Sequence, residues 1–438
     1  MNLRLAAQEI FLAGVNSVLP TRLITNSLAI AEDGISVGKR FFPLDMSGSL
    51  FVVGAGKASA MMASGAESVL GDLITDGHVV VKYGFSCRLK HLRITEAAHP
   101  APDINSFKAS EEILEIVTKA GSNDLVLCLI SGGGSSLLAD LPEGISGEDL
   151  LVLNNKLVNS GASISEINTV RKHISLIKGG QLARAAYPAQ VVSLIISDVP
   201  GDKLDVIASG PTVADPGTFD EALDVISRYH MVKSIPASIM TYLYKGAEGK
   251  VQETPKPGDP LFSRVSNIIV GNNRLALEAA LRKAANLNMD PFIEDDCIQG
   301  DVHDVAEKIV KSAVACRTGK SHYRPVCLLF GGETTLRMTG KGLGGRNQHL
   351  ALLIASLLKD YQGITVLAGG TDGNDGPTDA AGAVVDSATS LTAEAMKLDI
   401  QEYINNFDSW NFFKRAGGHI ITGPTMTNVM DMVVVIIE

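Results

Sequence analysis

Several short stretches of this chain set glycine beside a residue able to carry charge or take a proton, each just after an apolar run. Gly54-Ala55-Gly56-Lys57 presents a lysine on a glycine turn. It is not a dinucleotide fingerprint: the third glycine of G-x-G-x-x-G falls on Ser59, and Val81-Lys82-Tyr83 stand where an acid about 20 residues on is expected. The spacing does not fit a Walker A loop either. Ser131, Gly132, Gly133, Gly134, Ser135 and Ser136 form a run whose bare N–H groups and hydroxyls can cradle a phosphate or carboxylate. Asp198, in Ser197-Asp198-Val199-Pro200-Gly201-Asp202, can serve as a metal ligand or as a base toward an alcohol, or simply close a turn.

Further along, Glu333 follows Gly331-Gly332 and offers a carboxylate to Mg2+, to a ribose hydroxyl, or to the next turn as a cap. Gly344-Gly345-Arg346-Asn347 opens an apolar helix and so offers a guanidinium to phosphate or carboxylate. The loop Gly370-Thr371-Asp372-Gly373-Asn374-Asp375 has Asp and Asn at alternate positions, but a strand precedes it and no glutamate closes it, so it is no EF-hand. It reads as an acidic loop for Mg2+ or a substrate hydroxyl. His99 before Pro100 reads as a turn residue and His173 as a helix-surface residue. No Ser–His–Asp set and no zinc-ligand spacing is present.

These loops need rigid elements to aim them. The recurring pattern is a fully apolar, β-branched run, a glycine turn, then a helix-like stretch: 49–54, 77–82, 125–130 and 191–196, then 266–271, 325–330, 363–368 and 432–437. Strands apolar along their whole length are buried on both faces, which predicts parallel sheet flanked by helices. The chain has 438 residues, more than one core usually organises. The Pro- and charge-rich stretch 250–260 is the best linker, which predicts domains at 1–245 and 246–438. Ile10, Phe11, Val15 and Val18 recur at helical spacing near the N-terminus.

Composition excludes some classes. A net charge of -10 argues against a nucleic-acid binder, and no apolar run is long enough for a membrane span. Five scattered cysteines without a C-x-x-C pair fit a reducing, cytoplasmic setting. A homodimer is the base-rate expectation.

Together the motifs resemble the class II glycerate kinases with a MOFRL C-terminal domain. The matches run in order: 54–58; His99-Pro100-Ala101-Pro102-Asp103; 131–136; 167–172 with Lys178-Gly179-Gly180; 196–202; 208–212; 331–334; 344–348; 370–373; and 422–425 with 427–429. Met426 stands where glycine is expected and Ser59 where alanine is usual. The resemblance implies an α/β enzyme of two domains, a Rossmann-like parallel sheet flanked by helices and a MOFRL-type α/β domain, with the active site in the cleft between them. It implies ATP-dependent phosphorylation of D-glycerate to 2-phosphoglycerate, with Mg2+ or another divalent cation. Lys57, Asp198 and Arg346 are then catalytic, with Lys57, Arg346, Asp372 and Asp375 on the substrate. Ser131 to Ser136, Glu333 and Asn347 are expected on the nucleotide, and Asp198 and Asp372 on the metal. The competing expectation is an NAD(P)H-dependent hydroxypyruvate reductase, against which the failed fingerprint weighs.

Overall fold

The computed structural model describes residues 2–44, 47–319 and 324–438. Its strands, in chain order, are β1 (Leu28–Ala31), β2 (Gly34–Val37), β3 (Arg40–Pro43), β4 (Leu50–Ala55), β5 (Ile74–Lys82), β6 (Arg93–Ala97), β7 (Leu125–Ile130), β8 (Gln190–Ile196) and β9 (Val265–Gly271). They continue as β10 (Asp290–Asp301), β11 (Val326–Thr335), β12 (Ile364–Gly370), β13 (Gly382–Asp386), β14 (His419–Ile420) and β15 (Asp431–Ile437). The chain divides into two compact units, Pro20–Val270 and Met1–Leu19 with Gly271–Glu438.

In the Pro20–Val270 unit a six-stranded sheet has the order β6-β5-β4-β7-β8-β9, and the pairs from β6 through β8 are parallel. β4 and β7 are buried at every residue, as their unbroken apolar sequences require. Phe51, Val53 and Ala55 pack with Val126, Cys128 and Ile130 under the helix Ile104–Val117. The alternate residues Leu50, Val52, Leu125 and Leu127 are equally buried, and the helix Ser59–Leu70 packs on β4, β5 and β7. The chain runs β4, β5, β6 outward to one side, then returns to lay β7 and β8 on the other. The strand order therefore reverses between β4 and β7, the place where parallel α/β sheets bind ligands at their carboxyl ends. A separate helical core gathers Leu153, Leu157, Ile167 and Val170 with Phe219, Ile226 and Leu243.

The other unit holds a second six-stranded sheet in the order β10-β11-β15-β12-β13-β14. Among the described residues only β10 and β11 of this sheet pair in parallel; β15 runs antiparallel to both β11 and β12, and β13 antiparallel to β12 and β14. The expectation that this half repeats the parallel pattern is corrected here. Covering both faces with helices makes antiparallel strands as apolar as parallel ones, so the pattern does not carry direction.

The structure also differs on the domain limits. The helix Leu3–Ser17 belongs with the C-terminal residues, burying Ile10, Phe11 and Val15 and packing on the helix Asn273–Asn286. Arg4 reaches Asp386 at 2.6 Å, and the Thr427 hydroxyl donates to the Val18 carbonyl at 2.7 Å. Residue 245 lies inside the helix Ala237–Ala247. The stretch expected to be a linker is tied into the Pro20–Val270 unit: Thr254 donates to Asp215 at 3.0 Å, and the Asp215 N–H donates to the Pro255 carbonyl at 2.9 Å. Composition marks the loop without showing that its polar groups are used.

Candidate active site

The reversal between β4 and β7 brings three of the expected loops together. β4 delivers Lys57, whose backbone N–H donates to the Gly132 carbonyl at 2.9 Å. β7 delivers the Ser131–Ser136 loop, and β8, next in the sheet, delivers Asp198. Gly132 touches Asp198 so closely that a Cβ there would lie 1.9 Å from Oδ2. At Gly133 the backbone is left-handed (φ 83°), and a Cβ would stand 2.8 Å from His99 Nε2 and 3.6 Å from Lys57 Cγ. Two of the three consecutive glycines are thus explained by approach to functional side chains rather than by flexibility.

Charges within this cluster interact. Burial raises the Asp198 carboxyl above its ordinary value, and the Lys57 charge and a backbone N–H act in the opposite sense. Burial, then Lys57, then Lys82 lower the His99 imidazole to about 4, so it is neutral at physiological pH. Asp198 is therefore a desolvated carboxylate beside a lysine, suited to accept a proton from an alcohol or to face a cation.

The serine hydroxyls are less open than the sequence suggests. Ser131 Oγ accepts from the Ala58 N–H at 3.0 Å, Ser136 Oγ donates to the Gly133 carbonyl at 3.2 Å, and the Ser135 and Ser209 hydroxyls bond at 2.7 Å. Their first duty is to fix the loop. Ser59 is buried and donates to the Leu129 carbonyl at 3.0 Å, which accounts for a hydroxyl where alanine would fit.

In the other unit, Arg346 opens the helix Arg346–Leu357, as expected. Its guanidinium is not free: Nε and Nη2 donate to Asp431 at 2.6 and 2.9 Å, and Nη1 to Glu333 at 2.5 Å. Burial acts to lower its pKa, but Asp431 and Glu333 outweigh burial and hold it above its ordinary value. Asp372 lies close by, since a Cβ on Gly370 would be 3.2 Å from its Oδ1 and 3.4 Å from Asp431 Oδ1. Asp375 lies near enough to add to the raised pKa of Arg346, but its carboxylate is bonded elsewhere. The buried Asp375 carboxylate accepts from the N–H groups of Asn347 (3.0 Å) and Gln348 (2.8 Å) and so caps the helix. Among the described residues no group of three His, Cys, Asp or Glu side chains is placed to hold a metal.

A family model described as a domain of unknown function (DUF4147) matches residues 6–244, and the MOFRL family model matches 326–431. A glycerate 2-kinase of Pyrococcus horikoshii is 40% identical, covering 95% of this chain and 93% of that protein. A D-glycerate 2-kinase of Thermotoga maritima is 40% identical over 99% of this chain and 98% of its own length. The crystal structure of a glycerate kinase from Thermotoga maritima superposes with a TM-score of 0.88 at 38% identity, covering 100% of this chain and 99% of that one.

The chain belongs to the MOFRL-type glycerate kinase family.

Two residues, one in each unit, escape sequence reasoning. His99 has the local pattern of a turn residue, yet it stands against Gly133 beside Lys57. Its one signal is its place in the family motif 99–103. Asp431, the main partner of Arg346, begins the last strand and has no local signal at all. The expectation of a surface position for His173 is corrected as well: it is buried, bonded to the Thr169 carbonyl at 2.7 Å and to Glu253 at 3.1 Å, with its ring edge-on to Phe219. Met426, where the resemblance leads one to expect glycine, adopts a left-handed backbone (φ 62°), the conformation glycine accommodates best.

Proposed function

We propose that this protein transfers the γ-phosphoryl group of ATP to the 2-hydroxyl of D-glycerate, giving 2-phosphoglycerate. The observation that carries this reading is 40% identity, over nearly the full length, to proteins named glycerate 2-kinase. The cluster of Lys57, Gly132 and Asp198 supports it chemically. Phosphoryl transfer needs alignment and neutralisation of charge more than covalent help. In this reading Lys57 neutralises the transferring group, and Asp198 orients the 2-hydroxyl and takes its proton. The Ser131–Ser136 loop lies along the phosphates, and in the other unit Arg346, oriented by Asp431 and Glu333, offers a guanidinium to a carboxylate or phosphate.

A divalent cation such as Mg2+, bound with the nucleotide, would supply further positive charge on the phosphates. Mg2+ in such sites is held through one or two carboxylates together with phosphate oxygens. Asp198, desolvated and compensated only in part by Lys57, suits that duty, and Asp372 is the second candidate. The Asp375 carboxylate, committed to the helix Arg346–Leu357, is better described as support for Arg346 than as a substrate ligand.

A hydroxypyruvate reductase would need a nicotinamide site. The sheet order allows one, and a relative from Agrobacterium vitis named putative hydroxypyruvate reductase is 41% identical over 95% of this chain, but the buried Ser59 hydroxyl occupies the position of the third fingerprint glycine, which weighs against that reading. Among the described residues none of the five cysteines is joined in a disulfide, in keeping with a reducing cytoplasm. No helix among the described residues is long and apolar enough to cross a membrane.

The test is to incubate the purified protein with D-glycerate, ATP and Mg2+ and couple the product to enolase. Signal without added phosphoglycerate mutase is the expected result. Signal only with the mutase would move transfer to the 3-hydroxyl, and none in either case would overturn the kinase reading.

A further inference from the structure

Beside the Lys57–Asp198 cluster the Pro20–Val270 unit contains a cavity of about 410 Å3. One wall is the turn after β6, with Pro100 and Pro102. The facing wall comes from the helix Gly147–Asn159, through Leu150, Leu151 and Val158. Gly133 and Ser136 line the end nearest Lys57.

Two cations also line this largely apolar space, Arg171 and Lys178. Lys178 is buried, bonded to the Leu138 carbonyl, and 3.5 Å from Asp140 Oδ1. That carboxylate is already engaged by the Ser175 hydroxyl at 2.6 Å and by the Leu176 N–H. Arg171 donates through Nε to Asn154 Oδ1 at 2.8 Å and forms no ion pair with a described carboxylate. Burial lowers the pKa of both cations, and Arg171 lies near enough to Lys178 to lower it further against the pull of Asp140. Desolvated positive charge in excess of its counter-charge is costly unless an anion arrives to meet it.

We propose that this cavity is the nucleotide subsite, with base and ribose on the wall of Pro100, Pro102, Leu150 and Leu151 and the phosphates passing Arg171 and Ser136 toward Gly133 and Lys57. The assignment rests on the kinase reading and deepens it. Size and wall chemistry choose the nucleotide over the acid. Mostly apolar cavities of about 300–1,000 Å3 with a few convergent polar groups suit ligands of drug size, and a three-carbon acid would leave most of this one empty. Gly133 supplies continuity: it lines the cavity, and a side chain there would meet His99 and approach Lys57.

Leu151→Trp fills the cavity from the helix side. Val158→Trp does so from a position 63% exposed, where an added ring burdens the fold little. In either variant the KM for ATP should rise about tenfold or more while that for D-glycerate stays within about twofold. A rise confined to D-glycerate, a shared rise, or no change in either overturns the assignment. In the unaltered protein, photolabelling with 8-azido-ATP should mark residues 99–102 or 150–158, and label found only elsewhere also overturns it. Should the unaltered protein transfer no phosphoryl group to D-glycerate, the kinase reading fails separately, and the labelling still decides whether a nucleotide enters this cavity.

Discussion

Asp198→Asn tests the proposed base while leaving its shape in place. The amide is nearly isosteric, so the close approach to Gly132 persists, with the side chain still 1.9 Å from the position a Cβ would take there. What disappears is the capacity to take a proton from the attacking hydroxyl. A positioned general base contributes about 10²–10⁴-fold, and the lower end applies where positioning and charge dominate, as in phosphoryl transfer. We therefore expect kcat to fall about 100-fold, or ~3 kcal/mol of barrier. Stability should move the other way. The folded pKa of Asp198 is raised above its ordinary 3.8, so its favourable contribution is present below that value and is lost as pH rises through the folded one. Near neutrality the buried carboxylate is a burden that an amide removes. The enolase-coupled rate and the thermal midpoint, both followed against pH, provide the assay. The variant should lose the acid limb of the rate profile and melt at or above the parent's temperature near neutral pH. Turnover within about threefold of the parent, with the acid limb intact, would refute the assignment of Asp198 as the base.

Other outcomes follow from the same geometry. Lys57→Ala should lower kcat by at least about 100-fold if the ammonium meets charge in the transition state, and near-normal turnover would sink that role. Gly132→Ala places a methyl 1.9 Å from Asp198 Oδ2 and must displace that carboxyl. A shift of this kind can cost as much as about 10²-fold in kcat, read in the same coupled assay. Asp375, pushed up to about 6 mainly by burial, makes its stabilising contribution below 3.8 and loses it as pH rises through about 6. Asp375→Asn should abolish that pH dependence, yet its NH2 would face an N–H donor at the start of the helix Arg346–Leu357, so urea unfolding should show a net loss of about 1–3 kcal/mol. Met426→Gly should leave stability unchanged or raise it by no more than about 1 kcal/mol, since relief of the left-handed backbone is offset by glycine's freedom in the unfolded chain. A clear drop in the thermal midpoint would show that the Met426 side chain matters more than its backbone.

Much of the site is legible in the sequence. Lys57, the Ser131–Ser136 loop and Asp198 each follow a strand whose apolar sequence announces it, and a parallel sheet puts all such loops at one edge. Arg346 is legible for the same reason, as the first residue of a helix after a glycine-rich loop. Asp431 is not, because its role comes from β15 lying between β11 and β12, a pairing made across nearly a hundred residues of sequence. Nor is the capping duty of Asp375, since local spacing shows an acidic loop but not that a helix begins beside it.

By itself the sequence determined what depends on near neighbours: which runs are strands, where glycine turns interrupt them, and which chemical groups those turns present. Side-chain periodicity and backbone permissiveness act within a few residues, so a single chain records them. Tertiary structure alone decided the rest. It set the direction of the second sheet, the docking of the helix Leu3–Ser17 onto the C-terminal residues, the partners of Arg346, and the cavity lined by Arg171 and Lys178. Each of these depends on groups remote in sequence sharing one low-dielectric space, where a charge is stabilised or left wanting by neighbours that no local pattern encodes.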